Sequence, residues 1–134
     1  PAPPAAPAAP AAPCAFYPGT GGRSCNATTA NEPLPLRYTA AALWQRWGAL
    51  RRRVLEFRPA LLLLSSGFDA HAEDPSEGGA LTTADFRELS SRLSSLALEV
   101  PACRGRVLSV LEGGYHLPSL RASVKAHLEA LSAA

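Results

Sequence analysis

Apolar positions along this chain fall into two short runs and three spaced stripes, and the two kinds alternate. The first run, Leu61–Leu64, is four consecutive leucines that turn polar at Ser65, Ser66 and Gly67. A short apolar run without alternation predicts a strand buried on both faces, as in a parallel sheet under helices. The second run, Arg106–Leu111 (RVLSVL), leads into Glu112-Gly113-Gly114-Tyr115-His116. The stripes have helical spacing. Leu43, Trp47, Leu50, Val54 and Phe57 predict a helix over Arg37–Phe57, stopped by Pro59. Phe86, Leu89, Leu93, Leu96 and Val100 predict a second, capped by Thr82 or Thr83 with Asp85 near a capping-box position and closed by Pro101. Leu120, Val124, Leu128 and Leu131 predict a third, starting near Pro118. The order helix, strand, helix, strand, helix is that of an α/β chain with parallel strands and right-handed crossovers. Two strands make a poor sheet, so the pattern reads as a piece of a larger α/β domain.

The rest of the chain narrows the picture by exclusion. Residues 1–15 are Pro/Ala-rich low complexity, for which polyproline II or disorder is expected, and 16–134 form the foldable part. Phe16–Gly22 (FYPGTGG) is a loop. A formal charge of +2 is too small to argue for nucleic acid, and Arg46, Arg51, Arg52, Arg53 and Arg58 read as a solvated helix face. Three cysteines without CxxC spacing argue against a disulfide framework or thiolate zinc, and fit a reducing, intracellular compartment. No apolar run approaches the roughly 20 residues that span a bilayer. The start at Pro1 has no signal-peptide pattern and reads as a cut.

Candidate chemistry concentrates after the two strands, because ligands of open α/β sheets bind beyond the carboxyl ends of strands. That rule places Asp69 and Tyr115 on one rim. Asp69 and His71 carry acceptable zinc-ligand atoms, but two ligands do not make a site, and a hydrogen-bonding pair is the plainer reading. Glu73 and Asp74 read as a solvated turn. Tyr115, after two glycines, has a hydroxyl suited to a developing oxyanion, against the alternative of a packed loop tyrosine. A dinucleotide loop, a Gly-Lys-Ser/Thr motif and a G-x-S-x-G elbow are all absent. His127 reads as a surface residue of the last helix.

SSGFDAHAEDP, then LTTADF, then VLSVLEGGYHLPSL, resemble the C-terminal part of zinc-dependent histone deacetylases, a group that includes class II-like enzymes and acetylpolyamine amidohydrolases. FYPGTG and NEPLPL resemble the loop after that family's first zinc-ligand motif, so the likeness runs from about Phe16 onward. It implies the arginase/deacetylase-type parallel-sheet fold, a Zn2+ cofactor and hydrolysis of the amide of acetyl-lysine, in histones or other proteins, or of an acetylpolyamine. It implies Asp69 as a zinc ligand, Tyr115 as the residue that hydrogen-bonds the acyl carbonyl, and Gly113 and Gly114 as lining of the substrate channel. His71 is then not a ligand. The family's remaining two ligands and tandem histidines precede the FYPGTG loop, where this chain has its Pro/Ala tract. The chain alone is therefore expected to be inactive, with a catalytically dead interaction module or an unrelated α/β binding domain as the other readings. DPSEGG stands where DPLGG is usual. Ser76 or Glu77 thus replaces an apolar residue near the channel mouth, and an acidic group there favours a cationic polyamine.

Overall fold

The computed structural model describes residues 28–133. The Pro/Ala tract and the Phe16–Gly22 loop lie outside the described residues. The chain divides into two units, Pro1–Pro33 and Leu34–Ala134, and every regular element among the described residues belongs to the second. In order these are α1 (Ala40–Phe57), β1 (Leu62–Ser66), α2 (Thr83–Glu99), β2 (Val107–Leu111) and α3 (Leu117–Ser132). The predicted order holds, with boundaries shifted by a few residues.

Local chemistry explains the ends. Arg58 closes α1 in the left-handed region, φ 54°, returning its N–H to Val54. α2 opens with a full capping box: the Thr82 hydroxyl accepts from the Asp85 N–H while the Asp85 carboxylate accepts from the Thr82 N–H. α3 carries Pro118 in its first turn, where a missing N–H costs nothing.

The two strands pair in parallel, Leu62 opposite Val107 through Ser66 opposite Leu111. Leu62 and Val107 pack on a buried cluster of Leu96, Ala97, Val100 and Cys103, joined by Trp47, Val54 and Leu55 of α1. A second cluster, Phe68, Leu81 and Phe86, lies past the end of β1, with Tyr38, Leu43, Leu120 and Val124 around it. That second cluster is the floor of the strand-end loops.

Three expectations are corrected. The leucine run is not buried on both faces: among the described residues helices cover one side, and Leu63, at 64% exposed, looks outward with Leu108 and Val110. Leu50 and Phe57, assigned to the α1 stripe, are exposed as well. In α3 the buried stripe is Ser119, Ser123, Ala126, His127 and Ala130, whereas Leu128 is exposed. The physical reason is close helix packing. α2 buries Ser90 and Ser94, and Thr83 and Ser90 of α2 meet Ser123 and His127 of α3, so small and polar side chains line the contact between these two helices.

His127 is therefore not a surface residue; it is 6% exposed. Ser90 Oγ donates to the Phe86 carbonyl at 2.6 Å, so it accepts from His127 Nδ1–H at 2.7 Å. The bare Nε2 then accepts from Ser109 Oγ at 2.9 Å, which in turn accepts from Ser66 Oγ at 2.7 Å. One directed chain of hydrogen bonds thus ties both strands to α2 and α3. Burial lowers the His127 pKa, favouring the uncharged ring.

Candidate active site

Backbone pairing continues past the ends of the strands and brings their loops together. Glu112 N–H donates to the Ser66 carbonyl at 3.1 Å, and Phe68 N–H donates to the Gly113 carbonyl at 2.8 Å. Asp69 follows Phe68 directly, so its carboxylate comes to lie over the second loop. A Cβ at Gly113 would meet Asp69 Cγ and Oδ2 at 2.9 Å, and one at Gly67 would meet Oδ1 at 2.9 Å. The carboxylate is seated between two glycine backbones that leave just enough room for it.

Tyr115 is two residues further along the second loop. Gly114 stands before it at φ 130°, a conformation side chains seldom allow. Tyr115 is 65% exposed. The structure thus brings Asp69, Gly113, Gly114 and Tyr115 to the same end of the sheet.

His71 belongs to a different arrangement. Its ring is buried, stacked parallel to Phe86 with centroids 6.3 Å apart, and its Nδ1 accepts from the Glu73 N–H at 3.2 Å. It braces the floor of the loop.

Asp74 corrects the reading of a solvated turn, being 4% exposed. Its Oδ2 accepts N–H groups from Tyr115 at 2.7 Å and His116 at 3.2 Å, and its Oδ1 accepts the Ser76 N–H at 3.0 Å. Burial by itself would raise its pKa; the N–H groups of Tyr115, Ser76 and His116 outweigh burial and hold the carboxyl at about 2. Tyr38, which had no signal in the sequence, is also part of this end of the sheet. Its hydroxyl pKa is raised, first by burial and then by the negative charge of Asp69. Ser76 Oγ donates to the Asp69 carbonyl at 2.7 Å, while Glu77 pairs with Arg37 at 2.8 Å on the surface.

The histone deacetylase domain family matches residues 11–131. The chain belongs to the histone deacetylase family. It is 34% identical over 113 residues to Type-2 histone deacetylase 1 of Dictyostelium discoideum, covering 84% of this chain and 8% of that protein. It is 32% identical over 117 residues to acetylpolyamine amidohydrolase of Burkholderia pseudomallei, covering 82% of this chain and 32% of that one. Among solved structures, the acetylpolyamine aminohydrolase of the same bacterium superposes with TM-score 0.75 at 32% identity, over 91% of this chain and 36% of that one. The HDA15 HD domain superposes with TM-score 0.74 at 29% identity, over 87% and 34%. The chain therefore spans about a third or less of these histone deacetylase relatives, and shares with the solved ones the arginase/deacetylase-type α/β fold.

The metal expected from family likeness can be tested against these side chains. A catalytic zinc takes three protein ligands and leaves one position open. Among the described residues no three His, Cys, Asp or Glu side chains converge on one point. Asp69, between its two glycines, offers one carboxylate and does not complete a site by itself.

Proposed function

We propose that this chain supplies one wall of the active site of a zinc-dependent deacetylase that cleaves the amide of acetyl-lysine into acetate and free amine. The observation that carries this reading is the seating of Asp69 against Gly113, two residues before Tyr115. Asp69 and Tyr115 thereby lie on the loops at one end of the sheet. In this reading Asp69 is one zinc ligand, and the other two come from outside the described residues. The metal, when bound, supplies a Lewis acid. Tyr115 donates a hydrogen bond to the acyl oxygen as it gains negative charge, which stabilises the tetrahedral stage before the C–N bond breaks. Gly113 and Gly114 keep the wall thin enough for an extended acyl-lysine side chain to pass.

Acetyl-lysine is favoured over acetylpolyamine because the acidic group near the mouth is not free. Glu77 is engaged by Arg37, so its charge is partly offset before a cationic substrate arrives. Polyamine turnover is the second reading, supported by likeness to the Burkholderia amidohydrolase.

The test is hydrolysis of a fluorogenic acetyl-lysine peptide by the full-length natural protein with zinc. Tyr115→Phe should lower kcat about 10²- to 10³-fold with little change in KM, the scale for losing one oxyanion donor. An unchanged kcat would remove Tyr115 from the chemistry. Absence of turnover in the wild-type protein would leave the interaction-module reading.

A further inference from the structure

Asp74 takes no part in the chemistry proposed above, yet its carboxylate joins the two loops that carry it. A buried carboxylate is costly unless donors meet its charge. Here three backbone N–H groups do so, and two of them, Tyr115 and His116, belong to the loop beyond β2. The third donor, Ser76, passes the link on: its hydroxyl holds the Asp69 carbonyl at 2.7 Å. Asp74 and Ser76 therefore connect the backbone of Tyr115 to the backbone of Asp69.

The Tyr115 loop needs such an anchor. Gly113 and Gly114 precede it and contribute no side chains, and Gly114 has the freest of backbones. Tyr115 is largely exposed, so burial contributes little to fixing it. Charge-assisted hydrogen bonds from a buried carboxylate are short and directional, about twice as strong as neutral ones. The Tyr115 amide makes one at 2.7 Å.

We propose that Asp74 is a positioning residue that fixes the backbone of Tyr115, and with it the direction of the phenol, relative to Asp69. The inference rests on Tyr115 being the oxyanion donor. Asp74 itself touches no substrate.

A double-mutant cycle in the full-length natural protein tests it, with Asp74→Asn, Tyr115→Phe and the pair assayed on an acetyl-lysine peptide. Asparagine keeps the shape but turns one oxygen into an NH2 group, which faces an N–H donor in either orientation. Asp74→Asn should lower kcat about 10- to 100-fold, the scale of a misplaced catalytic group, with KM within about twofold. In the Tyr115→Phe background it should cost nothing further, because the group it positions is gone. Losses that multiply would mean Asp74 acts elsewhere, and would overturn the proposal. A Tyr115→Phe variant with unchanged kcat is a different pattern: it overturns the oxyanion reading and the positioning role with it. Hydrogen exchange on the wild-type protein decides the matter even if Asp74→Asn fails to fold. The Tyr115 and His116 amides should exchange at least about 100-fold more slowly than free-loop amides, and exchange at free-loop rates would overturn the clamp.

Discussion

Gly113 lies so close to the Asp69 carboxylate that a β-carbon there would meet Asp69 Cγ and Oδ2 at 2.9 Å. Real β-carbons do not approach that closely, so one of the two must move. Gly113→Ala should therefore shift Asp69 and lower kcat/KM about 100-fold, the scale of a roughly 1 Å displacement. Gly48→Ala is the control: nothing lies within 4 Å of its added carbon, in the middle of α1. It should leave activity intact and gain about 0.5–1 kcal/mol of stability. Peptide hydrolysis and urea unfolding of the two variants check both halves.

Acidification should destabilise the fold in two separable steps. Burial depresses the His127 pKa below 6.5, so the unfolded ring takes a proton more readily than the folded one. Its contribution is complete above pH 6.5 and declines as the pH falls below that value. The Asp74 carboxyl, at about 2 against an ordinary 3.8, contributes fully above pH 3.8 and loses its contribution between 3.8 and about 2. Urea unfolding from pH 8 down to about pH 2 should show both declines. His127→Gln should remove the upper one and leave the lower.

The capping box at Thr82 should be worth about 1 kcal/mol. Thr82→Ala removes the hydroxyl that meets the Asp85 N–H and should lower stability by that amount. Because α2 carries Phe86 into the floor beneath the strand-end loops, some activity should be lost with it. Thermal melts alongside kcat/KM measure the two effects together.

Arg37→Ala would release the Glu77 carboxylate from its surface partner. If that pairing limits selection of cationic substrates, the ratio of acetylspermidine to acetyl-lysine-peptide turnover should rise several-fold. The effect should shrink in high salt, since exposed pairs are screened. An unchanged ratio would mean that Glu77 has no part in substrate choice.

Much of this protein was legible in one dimension, because its elements follow from local rules. Runs of leucine and valine make strands, three- and four-residue spacing makes helices, and Thr82 with Asp85 starts one. The placement of Asp69 and Tyr115 on one rim followed from parallel topology, since both sit just past the carboxyl ends of neighbouring strands. What the spacing could not show was which polar residues are inside. His127 and Asp74 read as surface groups because histidine in a helix and Asp-Pro in a turn are ordinary there. Their burial depends on partners 18 to 42 positions away: Ser90 and Ser109 for His127, Tyr115 and His116 for Asp74. Likewise the contact between α2 and α3 includes Thr83 with Ser123 and Ser90 with His127, polar side chains that no single-helix hydrophobic periodicity ranks first. The chain's own order determined its elements and the rim on which they end. Only the tertiary structure decided which polar groups are buried there, because a buried polar group is stable only when distant residues supply its hydrogen bonds.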